Sequence, residues 1–352
     1  MAPRDFVIGG RAIGPSHPPF VVAEMSGNHN QSLDRALAIV DAAADAGAHG
    51  LKLQTYTADT MTLNLAHGAF RIDDEKSLWK GRTLYDLYHA AHTPWEWHAP
   101  IFERCRARGM VAFSTPFDDT AVDFLESLGA PVYKIASFEN TDLPLIRRVA
   151  RTGKPVIVST GMATLAELEE SVTALRGAGC QDLVLLKCTS TYPGSPENTH
   201  LATIPHLAAL FDIHVGLSDH TGGIGAAVAA VALGARVIEK HFTLARADGG
   251  VDSAFSLEPA ELAALVVETE RAFHALGRVQ YGPTTAERPS LAYRRSLYVA
   301  RDMAAGEAFT PENLRAIRPG FGLPPKHYEG LLGRRVRRAA PVGTPVSWDL
   351  VD

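Results

Sequence analysis

A short apolar segment followed by an amphipathic helical segment recurs eight times within the first 277 residues. The apolar segments are FVVAEM (20–25), GLKLQTY (50–56), MVAFSTP (110–116), VYKIAS (132–137), PVIVST (155–160), LVLLKCT (183–189), HVGLSDH (214–220) and VIEKHFT (237–243). Continuous apolar runs are typical of parallel strands that are covered on both faces. Eight such units in about 250 residues predict an α/β fold, the (β/α)8 TIM barrel. A doubly wound open sheet is the competing architecture, but it would normally carry a Gly-rich fingerprint after an early strand, and none is present.

Two of the intervening segments carry clear helix signals. Residues 32–48 have apolar side chains at helical spacing and Gly47 near their end. Residues 164–179 open with Thr164 and Glu167 in the spacing of a capping box, in which each side chain accepts a hydrogen bond from the backbone of the other residue. We therefore predict helices over both ranges.

The connection over residues 56–92 is long for a loop between a barrel strand and its helix. Long loops in compact domains are often functional or act as lids. In a barrel this connection follows the carboxyl end of a strand, and active sites form at that end. We therefore expect it to lie beside the site.

The alternation of strand and helix ends near residue 280, and the sequence changes character there. Residues 294–352 have short β-like pieces with many Gly and Pro, which predicts a small β-rich domain after a barrel of residues 1–280 and a linker of residues 281–293. Residues 278–352 carry a net charge of +5, and residues 1–277 carry −10. The opposite charges suggest that the small domain docks on a barrel, its own or a neighbour's. A solvated accessory domain is the alternative.

Charge, cysteine content and hydropathy exclude several classes of protein. A net charge of −5 without a long basic run argues against nucleic acid as the main partner. Cys105, Cys180 and Cys188 form no CxxC motif and cannot all pair, which favours reduced thiols in a cytoplasmic protein. The amino terminus lacks the apolar core of a signal peptide, and the apolar stretch 226–233 is too short to span a bilayer. We therefore expect no membrane partner.

Polar residues end nearly every predicted strand, where a barrel performs its chemistry. They are Glu24, Lys52, Gln54, Thr115, Lys134, Ser137, Ser159, Thr189, Tyr192, Ser218, His220 and His241. A lysine within a buried strand is costly unless it meets an anion or a carboxylate. Lys52 and Lys134, with hydroxyls and helix amino termini nearby, therefore predict a pocket for phosphate or carboxylate groups.

His220 and His241 end the seventh and eighth predicted strands, which are neighbours in a closed barrel. Two imidazoles there could share one divalent cation and leave positions open for water and substrate. Alternatively, each histidine hydrogen-bonds within the barrel mouth. Glu24 and Glu139 are candidate general bases, and ion pairing with the two lysines is a compatible second role.

Several ordered motifs resemble those of the sialic acid synthases, from about residue 5 to the carboxyl terminus. The motifs are AEMSGNHN (23–30), GLKLQTY (50–56), FSTPFD (113–118), YKIASFE (133–139), VSTGM (158–162), GLSDHT (216–221) and EKHFT (239–243). The carboxyl-terminal region resembles the SAF (antifreeze-like) domain of that family, whose RPG motif matches residues 318–320. Enzymes of this family condense phosphoenolpyruvate with an amino-sugar to give nine-carbon sugar acids and phosphate, with cleavage of the phosphate C–O bond.

The resemblance implies functions for individual residues. It implies a phosphoenolpyruvate site formed by Lys52, Thr115, Lys134, Ser137, Ser159 and Ser218. It implies Mn²⁺ or Mg²⁺ held by His220 and His241. Glu24 and Glu139 are our own candidates for the base that activates water in such a reaction. The resemblance also implies a domain-swapped homodimer in which Arg318 of one chain reaches the sugar site of the other.

Two stretches bear on the sugar that is used. Ser190 stands in CTSTYPGSPE, where N-acetylneuraminate synthases of the family typically have Asn, and the loop GGVDSAFSLEP (249–259) has Ser253 and Phe255 in place of a polar pattern. Both features resemble the pseudaminic acid synthases, whose sugar is 2,4-diacetamido-2,4,6-trideoxy-L-altrose and carries a methyl group. The expected sugar-binding residues are Gln54, Ser190, Tyr192, Asp252, Phe255 and Arg318.

Three alternatives stay open at this point. Within the family, the chain could be an N-acetylneuraminate or legionaminate synthase. In another class, it could be a non-catalytic barrel that binds a phosphorylated metabolite, which the loss of a metal histidine or pocket lysine would favour, and neither is lost. A metal-dependent aldolase gives no reason for two separate anion-binding lysines or for the SAF-like tail.

Overall fold

The computed structural model describes residues 3–75, 77 and 79–352. The chain divides into two compact units, Met1–Gly277 and Arg278–Asp352. Residues 288–293, which fall within the predicted linker, form a 3₁₀ helix in the second unit. The predicted limits at residues 280 and 294 stay predictions.

The first unit is a closed barrel of parallel strands, as predicted. In the described residues its strands are β3 (Phe20–Glu24), β4 (Gly50–Thr55), β5 (Val111–Pro116), β6 (Tyr133–Ile135), β7 (Val156–Ser159), β8 (Leu183–Cys188), β9 (His214–Asp219) and β10 (Val237–His241). Each pairs with the next in chain order, and β10 closes the ring against β3 with His241 opposite Glu24. The confirmed (β/α)8 architecture thus brings the first and last strand ends together.

Helices follow the strands around the barrel. Those of the described residues in the first unit are α1 (Leu33–Asp45), α2 (Ala58–Met61), α3 (Leu84–Ala91), α4 (Trp95–Ala107), α5 (Asp119–Ser127), α6 (Leu143–Ala150), α7 (Leu165–Gly177), α8 (Thr203–Phe211), α9 (Gly225–Ala232) and α10 (Pro259–Leu276). Thr164 caps α7 by accepting from the Glu167 N–H, and Glu167 accepts from the Thr164 N–H at 2.7 Å. The predicted capping box is therefore present. Gly47 follows α1 with φ +83°, a left-handed conformation that glycine adopts without steric cost.

Side chains alternate between the two faces of the barrel strands, because successive residues of a strand point to opposite sides. One face packs against the helices in a large apolar core that includes Ala23 and Leu51. The other face fills the barrel interior, where Phe20, Val22 and Phe113 form a second apolar cluster. Residues two or four positions after these cluster residues on the same strand therefore also point inward. Near the carboxyl ends of the strands, such residues point into the barrel mouth.

A short amino-terminal hairpin packs against the barrel interior. Its strands, β1 (Phe6–Ile8) and β2 (Arg11–Ile13), pair antiparallel. Phe6, Ile8 and Ile13 are buried in the same cluster as the inward-facing residues of the early strand positions. The hairpin therefore covers the amino-terminal end of the barrel, opposite the end where the polar residues lie.

The second unit has its own small core. Its antiparallel strands β11 (Ser296–Val299) and β12 (Leu314–Ile317) and the short helix α11 (Tyr328–Leu331) bury an apolar cluster that includes Leu297, Phe309 and Val346. Throughout the described part of the chain, no helix combines the length and hydropathy needed to cross a membrane.

Candidate active site

The strand alternation collects polar side chains in the barrel mouth. Glu24 follows Phe20 and Val22 on the inward face of β3, and Thr115 follows Val111 and Phe113 on that of β5. The residues that share this phase are Glu24, Lys52, Gln54, Thr115, Lys134, Ser159, Ser218, Glu239 and His241. Half of the predicted site residues are thus brought to one end of the barrel by strand geometry alone.

Two lysines and two glutamates form a buried charge cluster at the centre of this set. The Nζ of Lys52 lies 2.6 Å from Oε2 of Glu24 and 3.8 Å from Oε1 of Glu239. The Nζ of Lys134 lies 3.1 Å from the same Glu239 oxygen. All four side chains are at most 6% exposed. Two positive and two negative groups balance one another, which is what makes four buried charges tolerable.

Glu239 was not among the residues predicted from the sequence. Its Oε1 also accepts a hydrogen bond from Ser218 Oγ at 3.2 Å, so one carboxylate oxygen contacts three residues of the expected anion pocket. Lys134 therefore pairs with Glu239 and not with the predicted candidate Glu139. Burial opposes ionisation of Glu239, but Lys134 and Lys52 outweigh it and lower its pKa.

The hydroxyl groups of the expected anion pocket lie at the same end of the barrel as the two lysines. Thr115 Oγ1 lies 3.4 Å from Lys52 Nζ, and Ser137 Oγ accepts from the Gly161 N–H at 3.1 Å. A Cβ at Gly161 would overlap the hydroxyls of Ser137 and Ser190, so glycine permits this close approach. Within the described residues, Ser159 Oγ is buried without a hydrogen-bond partner. Buried polar groups are normally satisfied, so this hydroxyl is available to a ligand.

His220 and His241 lie side by side, with ring centroids 5.3 Å apart. His220 follows β9, and its Nδ1 lies 3.1 Å from the carbonyl oxygen of Thr189. This contact fixes the orientation of the ring. His241 Nδ1 is buried without a hydrogen-bond partner among the described residues, and Asp252 Oδ2 is 3.7 Å away. An orphaned imidazole nitrogen beside a second imidazole and a carboxylate fits a divalent cation. The described residues hold no group of three or more side chains already arranged as metal ligands.

Asp252 and Gln54 connect the histidine pair to the charge cluster. Gln54 Nε2 donates to Glu24 Oε1 at 2.9 Å and to Ser26 Oγ at 3.1 Å, and the Ser26 hydroxyl in turn donates to Asp252. Burial raises the pKa of Asp252 to about 6. Ser26 is a second residue that the sequence did not single out, although it lies in the quoted motif AEMSGNHN.

A cavity of about 340 Å³ opens beside these groups. The predicted residues that line it are Gln54, Glu139, Ser190, Tyr192, His241 and Asp252. Its apolar wall comes largely from the connection over residues 56–92, including Met61, Ile72, Trp79 and Leu87. Trp79 Nε1 donates to the carbonyl oxygen of Val251 at 3.2 Å, which ties this connection to the loop that carries Asp252. The long connection therefore lies beside the site, as predicted.

Aromatic rings pack against the two histidines. The Tyr192 ring lies 4.5 Å from His220 and 5.3 Å from Phe255 between centroids, and Phe255 lies 4.9 Å from His241. Such contacts exclude water and hold the imidazoles in place. Tyr192 and Phe255, predicted from two different loops, therefore meet at one wall of the site.

Glu139 borders the cavity in a different environment from Glu24. Its Oε2 is buried without a hydrogen-bond partner in the described part of the chain, and burial raises its pKa to about 7. Burial also raises the pKa of Glu24, with the adjacent Lys52 opposing that shift. A carboxyl group that titrates near neutrality can exchange a proton with water or substrate at physiological pH.

Arg318 belongs to the second unit, directly after β12. Its expected place in a sugar site of a partner chain stays a prediction. All other predicted site residues lie in the first unit.

Comparisons with known proteins agree with this picture. The NeuB family profile matches residues 39–281, and the SAF domain profile matches residues 294–352. The pseudaminic acid synthase of Helicobacter pylori is 42% identical over 95% of this chain and 98% of its own length. The N,N'-diacetyllegionaminic acid synthase of Legionella pneumophila is 35% identical over 96% of each. The crystal structure of N-acetylneuraminic acid synthetase from Leptospira borgpetersenii superposes with a TM-score of 0.73 and 32% identity, covering 83% of this chain and 96% of that one.

Proposed function

The chain belongs to the NeuB family and carries a SAF domain, and from this premise we propose that it is a pseudaminic acid synthase. It condenses phosphoenolpyruvate with 2,4-diacetamido-2,4,6-trideoxy-L-altrose and water, giving pseudaminic acid and inorganic phosphate. The relative from Helicobacter pylori, which covers almost the whole chain, supports this substrate choice. The observation that carries the proposal is the buried cluster in which Lys52 and Lys134 face the barrel mouth beside an unsatisfied serine hydroxyl.

Lys52 and Lys134 bind the phosphate and carboxylate groups of phosphoenolpyruvate. Thr115, Ser137, Ser159 and Ser218 supply hydroxyl donors around the same two ammonium groups, and these contacts orient the enol carbon toward the sugar. The proposal is supported by the 3.4 Å separation between Lys52 and Thr115 and by the free hydroxyl of Ser159. Glu24 and Glu239 balance the two lysines when no anion is bound, and the negative groups of the ligand compete with these carboxylates for the ammonium groups.

The sugar binds in the adjacent cavity. Gln54, Ser190 and Asp252 offer polar partners to hydroxyl and acetamido groups, while Tyr192 offers an apolar wall to a methyl group and Phe255 packs against the Tyr192 ring. A divalent cation, Mn²⁺ or Mg²⁺, held by His220 and His241, would polarise the aldehyde oxygen of the open-chain sugar as a Lewis acid. This placement is supported by the orphaned Nδ1 of His241.

The residues of the site account for each bond and proton of the reaction. The enol carbon of phosphoenolpyruvate forms the new C–C bond to the aldehyde carbon, and water adds to the carbon that bears the phosphate. Glu139 or Glu24 takes one proton from that water and returns it to the former aldehyde oxygen, which becomes a hydroxyl group. The hydroxyl left on the tetrahedral carbon gives its proton to the departing phosphate as the C–O bond breaks, and a ketone remains. The pKa of Glu139 near 7 suits both acceptance and return of a proton.

We also propose a cytoplasmic, domain-swapped homodimer in which Arg318 reaches the sugar site of the partner. The opposite net charges of the two parts of the chain support docking between them. Cys105, Cys180 and Cys188 are all unpaired, which suits a reducing compartment. Light scattering of the purified chain tests the dimer, and steady-state kinetics of Arg318→Ala tests the role of Arg318. A dimeric wild type together with a raised KM for the sugar in Arg318→Ala supports the proposal. A fully active monomeric wild type contradicts it.

The first test of function is phosphate release by metal-stripped protein. The protein is incubated with phosphoenolpyruvate and either the altrose-derived sugar or N-acetylmannosamine, with and without Mn²⁺. Metal-dependent release with the altrose-derived sugar alone supports the proposal. Phosphate release with N-acetylmannosamine alone contradicts the proposed sugar but supports the proposed condensation reaction. No release with either sugar contradicts the proposed activity.

A further inference from the structure

Lys240 lies between Glu239 and His241 on β10 and points away from the barrel interior, because its strand neighbours point inward. Its side chain is fully buried, and its Nζ contacts three acceptors at hydrogen-bond distance. These are Asp219 Oδ2 at 2.8 Å, the carbonyl oxygen of Thr221 at 2.7 Å and the carbonyl oxygen of Gly223 at 2.8 Å. Asp219 is the last residue of β9, and Thr221 and Gly223 belong to the short segment that follows it.

The segment over residues 219–223 therefore folds around one ammonium group. Asp219 Oδ1 also accepts from the Thr221 N–H at 2.9 Å, so the carboxylate closes the turn from within. His220 lies inside this turn, and its own carbonyl oxygen accepts from the Gly194 N–H at 2.8 Å. The backbone on both sides of His220 is thus fixed to the residue that precedes His241.

We propose that Lys240 is a positioning residue for the His220–His241 pair, holding the two imidazoles at the separation a divalent cation requires. The inference rests on the proposed function, since it concerns the cation named there. Lys240 itself contacts neither imidazole and acts through the turn that carries His220. The alternative is an ion pair that merely stabilises the fold.

The charge arrangement distinguishes these two roles. A buried ion pair is weak evidence for stability, because well-packed apolar residues of similar volume often replace it without loss. Carbonyl oxygens of Thr221 and Gly223 need a donor at this point, however, and an apolar side chain would leave them unpaired and release the turn. The loss of Lys240 should therefore disturb the histidine geometry more than any other part of the barrel.

The test measures Mn²⁺ binding to metal-free protein by electron paramagnetic resonance, without any substrate. Lys240→Met is compared with Lys154→Met, because Lys154 forms an ion pair with Glu126 on the outside of the same barrel but at the end remote from the histidines. We expect Lys240→Met to weaken Mn²⁺ binding roughly tenfold or more, the effect typical of residues that orient metal ligands. Lys154→Met is expected to bind Mn²⁺ within about twofold of the wild type.

Asp219→Asn provides a second variant: it keeps an oxygen acceptor for the Thr221 N–H but replaces the oxygen that accepts from Lys240 with an amide nitrogen that cannot. A weakened Mn²⁺ affinity in this variant supports the proposal even if Lys240→Met does not fold. Unchanged Mn²⁺ affinity in a folded Lys240→Met protein overturns the proposal, as does a wild-type protein that binds no Mn²⁺. A wild-type protein that binds Mn²⁺ but forms no product contradicts only the proposed function.

Discussion

Lys134 and Glu239 meet inside the barrel with Nζ 3.1 Å from Oε1, although 105 residues separate them in the chain. Lys52 approaches the same carboxylate oxygen at 3.8 Å. Without a bound anion, Glu239 thus supplies part of the negative charge that two buried ammonium groups require. We predict that an anionic substrate bound in the pocket takes over that role, so that one counter-charge of the lysines is exchanged for another.

Replacing Glu239, the acceptor that the two lysines share, should therefore lower the free energy of unfolding, and a bound anion should restore it. We expect Glu239→Gln to lower the free energy of unfolding by about 3 kcal/mol, because it leaves an uncompensated buried positive charge. Urea unfolding in a phosphate-free buffer measures the loss. Added inorganic phosphate should raise the unfolding midpoint of the variant more than that of the wild type.

The matched control is Glu126→Gln, which removes a carboxylate from the half-exposed pair with Lys154. We expect it to cost about 1 kcal/mol or less and to show no added response to phosphate. Equal responses in both variants would mean that Glu239 does not share its pocket with anions.

Lys134→Met should impair the use of phosphoenolpyruvate selectively. Loss of one partner of a buried charge pair typically costs 2–5 kcal/mol in binding, so we expect KM for phosphoenolpyruvate to rise about 100-fold. KM for the sugar should change little, since Lys134 does not line the neighbouring cavity. Steady-state phosphate release measures both constants. A proportionate rise in both would place Lys134 outside the phosphoenolpyruvate site.

Glu139→Gln should make the protein more stable at alkaline pH. Burial raises the pKa of Glu139 from 4.5 to about 7, so the unfolded chain ionises before the folded one as the pH rises. The wild type therefore loses stability between about pH 4.5 and 7, and the loss is complete above that range. We expect Glu139→Gln to be about 3 kcal/mol more stable than the wild type at pH 8 and equal to it at pH 4, as measured by urea unfolding at the two pH values.

The same substitution should reduce turnover if Glu139 activates water. General-base catalysis contributes typically 10²- to 10⁴-fold, so we expect kcat to fall at least about 100-fold. The wild-type rate should rise with pH through an apparent pKa near 7, and this limb should be absent from the residual activity of the variant. A variant that keeps both the rate and the limb would assign the proton transfer to Glu24.

Trp79→Phe should weaken sugar binding without affecting phosphoenolpyruvate. It removes the hydrogen bond from Nε1 to the Val251 carbonyl while keeping an aromatic ring in the cavity wall. A hydrogen bond of this kind contributes about 1 kcal/mol, so we expect KM for the sugar to rise about fivefold. Trp348→Phe, on a half-exposed residue of the second unit, is the control and should leave both KM values unchanged.

Much of the barrel could be predicted because its strands and its helix starts are each marked by a short local pattern in the sequence. Continuous apolar runs mark strands covered on two faces, and Thr164 with Glu167 marks a helix start; the structure has both at the expected places. Strand alternation also held the signal for Glu239, which lies two residues before His241 and therefore on the same face. That residue could have been found from the sequence.

Other parts of the site depend on loop conformation, which no local pattern specifies. Ser26 and Asp252 are 226 residues apart, and their hydrogen bond requires two loops to fold toward each other over the barrel mouth. Trp79 and Val251, which also form a hydrogen bond, are 172 residues apart in the chain. Such contacts are set by tertiary packing, and the spacing of residues in the chain contains no sign of them.

The hairpin of β1 and β2 has a consequence for the kinetics. Phe6, Ile8 and Ile13 fill the amino-terminal end of the barrel, so we expect molecules to reach the buried lysines through the opposite mouth. The cavity assigned to the sugar lies at that mouth, and a bound sugar would block the route to Lys134. We therefore expect compulsory-order kinetics, with phosphoenolpyruvate entering first and inorganic phosphate leaving last, and product-inhibition patterns would reveal it. Because the barrel is closed at its amino-terminal end, the inorganic phosphate formed in the deeper pocket can leave only after the sugar acid has left the outer cavity.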